Sequence, residues 1–94
     1  MARLTDDEVQ ARLADVPGWE VVDGKLHREV KLRNFVEAFG FMAKVALEAE
    51  KLNHHPDWSN SWNTVVIDVV SHADGGLTDQ CFTLAAAANR ALGE

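Results

Sequence analysis

Trp19-Glu20-Val21-Val22-Asp23-Gly24-Lys25-Leu26-His27-Arg28-Glu29-Val30-Lys31-Leu32 reads as two strands joined by a tight turn. Asp-Gly between apolar runs is a two-residue hairpin signal, because both central residues must take positive φ. The strands are expected at Trp19–Val22 and Lys25–Leu32. In the second, Leu26, Val30 and Leu32 share one face, while Lys25, His27, Glu29 and Lys31 share the other, which should be solvated.

Working outward, helices flank this hairpin. Upstream, Thr5 with Glu8 forms a capping box, and Leu4 with Val9 a hydrophobic staple. Apolar positions Val9, Leu13 and Val16 follow before Pro17-Gly18 stops the helix. Downstream, a long helix runs from about Asn34, paired with Glu37 as its cap, to Leu52. Phe35, Phe39, Met42, Val45, Ala49 and Leu52 form its expected core stripe. Val36, Phe41, Ala46 and Leu47 widen that stripe beyond one face. Gly40 costs about 1 kcal/mol relative to Ala, which suggests close packing there. Pro56 disfavours helical geometry at His55, so the helix must end near Asn53.

Two further strands are expected, a short one at Trp58–Ser61 and a long one at Trp62–Ser71. In the latter Val65, Ile67, Val69 and Ser71 alternate with Thr64, Val66, Asp68, Val70 and His72. After Ala73-Asp74-Gly75-Gly76, Thr78 caps a last helix reaching about Leu92, with Leu77 and Phe82 as its staple. The order is α-β-β-α-β-β-α. It implies one α+β domain over residues 1–94, with helices on one face of a four-stranded antiparallel sheet. Open strand edges and the second apolar sheet face, Val66 with Val70, suggest a partner chain.

Composition removes several classes. A net charge of -6, with scattered Lys and Arg, argues against a nucleic-acid surface. No apolar run approaches the roughly 20 residues that span a bilayer. The acidic start, Met1 to Glu8, lacks a signal-peptide stretch. With a single cysteine, Cys81, no intrachain disulfide can form. A cytoplasmic protein without membrane partners is expected.

Chemistry concentrates in the histidines. His54 and His55 stand where the long helix ends, and His72 where the long strand ends. Imidazole gives and takes protons near neutrality. Other readings of these residues stay open. The pair can simply complement the helix C-terminal dipole. Alternatively His54, His55, His72 and Asp57 can be metal ligands, although their spacing matches no common zinc pattern. His27 reads as solvated surface and Trp19 as core. Trp58 and Trp62 serve equally as core or as walls for a flat ligand. Cys81, in the first turn of the last helix, reads first as a small buried hydrophobe.

One resemblance narrows these readings. Phe39-Gly40-Phe41-Met42, Val45-Ala46-Leu47 and Ala49-Glu50-Lys51-Leu52-Asn53-His54-His55-Pro56-Asp57-Trp58 resemble the pterin-4a-carbinolamine dehydratase family. So do Trp62-Asn63, the Val65/Ile67/Val69 strand, Ser71-His72 and Gly76-Leu77-Thr78. The resemblance covers nearly the whole chain. It implies removal of water from a 4a-hydroxytetrahydropterin to give the quinonoid dihydropterin, in recycling of the tetrahydropterin cofactor. It implies no metal and no organic cofactor. His54, His55 and His72 would be the catalytic set: His54 and His72 the acid–base pair on opposite sides of the pterin, and His55 mainly holding and orienting the ring, with a share in proton transfer as the alternative. Glu50, one helical turn before His54, would orient it, Pro56 would fix the chain direction, and Asp57, Trp58 and Trp62 would complete the substrate site. Cys81 stands where relatives often carry an acid; the expectation is a buried filler. The resemblance further implies a homodimer or homotetramer. Some animal members also partner a homeodomain transcription factor, a role nothing in this sequence argues for. The rival reading is a non-enzymatic dimerisation or binding module that keeps the fold.

Overall fold

A computed structural model describes residues 2–94. Its elements are α1 (Asp6–Arg12), β1 (Glu20–Val22), β2 (Lys25–Lys31), α2 (Phe35–Leu52), β3 (Asp57–Ser61), β4 (Thr64–Val69) and α3 (Asp79–Ala91), with a short 3₁₀ turn at Leu13–Asp15. The strands form one antiparallel sheet in the order β1-β2-β4-β3, so the expected α+β fold is present.

Local chemistry accounts for several boundaries, whereas Thr78, expected to cap α3, stands at its N-cap without a side-chain capping bond. Thr5 and Glu8 cap α1 reciprocally. Asp23 and Gly24 both have positive φ, 52° and 77°, and Val22 pairs with Lys25 across them. That is the two-residue turn expected of Asp-Gly. Asn34 accepts from the Glu37 amide at the start of α2. At its end Asn53 adopts the left-handed conformation, φ 50° and ψ 43°. The Asn53 amide reaches the Glu50 carbonyl, and the His54 amide reaches the Ala49 carbonyl. This Schellman-type closure satisfies the last carbonyls and turns the chain sharply at His54.

The core lies between the sheet and the helices. Leu26, Val30, Val65, Ile67 and Val69 are buried on the sheet side; Ala38, Phe41, Val45 and Ala49 are buried on α2, and Leu84, Ala85 and Ala88 on α3. The alanines keep α3 thin, so α2 can approach it closely.

Three expectations are corrected. The buried stripe of α2 is not the one led by Phe35 and Phe39, which are 50% and 63% exposed; it runs through Ala38, Phe41, Val45 and Ala49. Apolar residues occupy nearly all sides of this helix, so spacing alone did not select the core side. Gly40 permits no close packing within the chain, since an added Cβ would meet nothing within 4 Å. Trp62 and Asn63 are not strand residues. They form the β3–β4 turn, with Trp62 at φ 50°. The Asn60 amide holds that turn by donating to the Trp62 and Thr64 carbonyls.

A buried amide joins the N-terminal third to α3. Asn89 Oδ1 accepts from Trp19 Nε1 at 2.8 Å and from Arg28 at 2.6 Å, while its Nδ2 donates to the Pro17 carbonyl at 3.0 Å. Removing this side chain strands a buried indole N–H. Asn89→Ala is expected to cost about 3 kcal/mol, read as a lower urea midpoint with an unchanged slope. A loss under about 0.5 kcal/mol would show that the cluster is dispensable.

Candidate active site

Two chain turns bring the histidines together. The first is the end of α2, where Asn53 redirects the backbone and Pro56 leads into β3. The second follows β4, where Ser71 and Gly76 bridge through paired backbone hydrogen bonds of 3.0 and 3.2 Å. The closed loop 72–75 carries His72 and Asp74, and Ser71 Oγ donates to Asp74. Between the two turns lies an open cavity of about 270 Å³ lined by Asn53, His54, His55, Val70, Ser71, His72 and Ala73. All three candidate histidines line it. His27 lies elsewhere, on the open sheet face, paired with Asp68 at 2.8 Å.

Each of the three imidazoles has a side-chain partner among the described residues. His72 Nε2 lies 3.0 Å from Asp57 Oδ2, and His55 Nε2 lies 2.6 Å from Glu50 Oε1. A carboxylate only accepts, so both Nε2 atoms carry hydrogen and donate. His54 Nε2 lies 3.3 Å from Cys81 Sγ. His54 is shifted in acidity. Its pKa is lowered, first by burial and then by the neighbouring His55 charge, against an opposing pull from Asp74. The neutral imidazole therefore persists at and somewhat below neutral pH.

Several expected partners stand differently. Glu50 holds His55, not His54. The i, i+4 spacing would place His54 above Glu50 only on a continuing helix, and the left-handed Asn53 breaks that register. Asp57 lies against His72, with Asp68 directly opposite it across the β3–β4 ladder. Trp58 pairs with Ile67 and packs partly buried against the core, not on the cavity. Trp62, 66% exposed, sits at the far end of the β3–β4 hairpin, about 17–20 Å from the histidines for strands of this length. Pro56 is half-buried at the mouth of β3.

Cys81 is fully buried, as expected of a filler, yet its sulfur reaches a candidate catalytic imidazole. The 27 residues between His54 and Cys81 leave no local sequence signal for that contact. Among the described residues no group of three or more His, Cys, Asp or Glu is arranged to hold a metal ion. Nor, among them, is any helix long and apolar enough to cross a membrane.

Fold and site define a small α+β protein whose open pocket gathers three imidazoles, each with its own hydrogen-bond partner. Residues 2–91 match the family model described as pterin 4 alpha carbinolamine dehydratase, and the chain belongs to that family. A protein of Solibacter usitatus, provisionally named as a pterin-4-alpha-carbinolamine dehydratase, is 49% identical over 84 residues, covering 89% of this chain and 88% of its own. A similarly named protein of Rhodospirillum rubrum is 47% identical over 93 residues, 97% of each chain. The crystal structure of a transcriptional coactivator/pterin dehydratase from Brucella melitensis superposes with a TM-score of 0.91 at 41% identity, covering 95% of this chain and 97% of that one.

Proposed function

We propose that this chain dehydrates a 4a-hydroxytetrahydropterin to the quinonoid dihydropterin by histidine acid–base catalysis, as a step in tetrahydropterin recycling. The observation that carries the reading is the convergence of His54, His55 and His72 on one cavity, with a different partner behind each ring.

The reaction needs two proton transfers. The 4a-hydroxyl leaves as water only if it is protonated as the C–O bond breaks. A ring nitrogen must lose a proton as the conjugated system forms. His54, neutral at pH 7, accepts the ring proton. His72 in its imidazolium form, held through Nε2 by Asp57, donates to the departing hydroxyl from Nδ1. One proton enters and one leaves, so the net change is loss of water, and exchange with solvent resets both rings. His55, tied to Glu50, holds the pterin.

The test follows the ultraviolet absorbance of freshly generated 4a-hydroxytetrahydropterin with and without the protein. No acceleration over the spontaneous reaction would overturn the reading. Because the His54 pKa is lowered, the acid limb of kcat/KM should fall below pH 6.5, the ordinary imidazole value; an acid limb above that value would remove His54 as the base. Asp57→Ala should slow kcat about tenfold with a smaller change in KM, the loss of one hydrogen bond to a charged group. A raised KM with unchanged kcat would instead make Asp57 a substrate contact.

The chain is also proposed to self-associate through the outer side of α2. Val36, Phe39 and Leu47 are 78%, 63% and 69% exposed there, beside Phe35, whose ring centroid lies 6.3 Å from that of Phe39. Apolar side chains exposed along one helix face mark an interaction surface. A short chain that buries little surface alone gains from closing such a face with a second copy.

A further inference from the structure

Cys81 remains unused by the mechanism above, although it is buried and touches His54. Its sulfur lies 3.3 Å from His54 Nε2 and 3.7 Å from Thr78 Oγ1. Thr78 is 1% exposed and Cys81 0%, so water competes for neither group. Thr78 occupies the N-cap of α3, where a side-chain oxygen would ordinarily accept a backbone amide, yet it makes no such bond. Its hydroxyl is spent on the sulfur.

Sulfur is a weak acceptor, and a thiol S–H is a weak donor. Hydroxyl and imidazole N–H lose the most when buried unpaired. Sulfur accepting from both Thr78 O–H and His54 Nε2–H satisfies the two stronger donors and leaves only the S–H without a partner. In that arrangement the neutral His54 ring carries its hydrogen on Nε2, and the Nδ1 lone pair is free for the cavity.

We infer that Cys81 is a positioning residue for His54: its buried sulfur accepts the Nε2–H bond, fixing the tautomer whose Nδ1 takes the substrate proton. This rests on the proposed dehydratase reading. The thiol does so without a negative charge. A carboxylate at the same place would accept the same hydrogen but favour the imidazolium, filling the site that must take a proton. The other groups facing His54 are His55, whose charge opposes protonation, and Asp74, whose charge favours it. His72 shares the cavity, and Glu50 reaches His54 only through His55. With these in opposition, the neutral partner at Cys81 leaves burial in control of the His54 proton.

The experiment is ¹⁵N NMR of histidine-labelled protein, titrated from pH 5 to 8, alongside kcat/KM over the same range. His54→Gln supplies the assignment, and thermal unfolding controls for lost fold. Wild type should show His54 protonated at Nε2 above its pKa. Cys81→Ser, whose oxygen also accepts, should keep that tautomer. Cys81→Ala should lose the preference and give a mixture. Cys81→Asp should move the His54 titration and the acid limb of kcat/KM together toward higher pH, by about one pH unit. An Nδ1-protonated His54 in wild type would overturn the inference, as would an unchanged tautomer in folded Cys81→Ala or an unmoved titration in folded Cys81→Asp. If wild type lacks dehydratase activity while the NMR results hold, the proposed reaction fails and the positioning role stands. If activity is present but the tautomer is insensitive to Cys81, the reverse is true.

Discussion

Replacing His54 or His72 by alanine is expected to slow pterin dehydration by roughly 10²–10⁴-fold each, the range for loss of one general acid or base. The two rings come from different turns and reach one cavity, with distinct partners behind them. His72 is exposed and held by Asp57; His54 is half-buried, and burial leads the causes that lower its pKa. Burial keeps His54 neutral and able to take a proton, and Asp57 holds the His72 ring in place at the same cavity. The single losses need not multiply. Two groups that act in one step are non-additive, so the double variant should sit near the worse single variant. His55→Ala should chiefly raise KM, because Glu50 directs this ring from the cavity rim without the burial of His54. Steady-state rates on freshly generated substrate, with thermal unfolding as a control, read all four variants. Full activity in the double variant would remove both histidines from the chemistry. Loss of wild-type activity on treatment with EDTA would replace proton transfer between imidazoles by a metal-assisted route.

How much of this was legible in the sequence depends on how local the signal was. Asp23-Gly24 forces its turn through its own backbone preferences, and the turn forms as read. Val65, Ile67 and Val69 alternate cleanly, and all three are buried. The histidines were legible as a group because Pro56 and the end of β4 place them at turns. Their partners were not. Glu50 was read toward His54 by helical spacing, but one left-handed residue, Asn53, passes the contact to His55. The Cys81–His54 contact joins two helix ends remote in sequence, and no periodicity reports such a meeting. Trp62 read as strand because aromatics favour strands. A bulky residue at positive φ is uncommon; here the Asn60 side-chain amide donates to the Trp62 carbonyl, and the next residue, Asn63, is tied to the Leu32 carbonyl.

Phe39→Glu combined with Leu47→Glu is expected to convert an associated protein into a 10.4 kDa monomer, weakening self-association at least 100-fold. The two apolar sides of α2 motivate this. Phe35 and Phe39 sit at helical spacing and look like core, yet the core is supplied by Ala38, Phe41, Val45 and Ala49 on another side. A helix that is apolar on two sides has two partners to satisfy, and within the chain only one is present. Phe35 and Phe39 stand one helical turn apart, and Val36 and Leu47 lie three turns apart on the same outer side, the pattern one helix presents to another. Each well-packed anchor of this kind contributes on the order of 2 kcal/mol when buried at an interface. A glutamate at either place brings a charge that the interface would have to desolvate, and symmetric copies would repeat it on both sides. Neither side chain supports the core of its own chain, so folding should survive. Light scattering and sedimentation at micromolar concentration read the assembly, and urea unfolding reads the fold. A wild-type protein of 10.4 kDa under those conditions would contradict the proposal. So would a double variant that associates as tightly as wild type, which would move the interface to the open edges of β1 or β3.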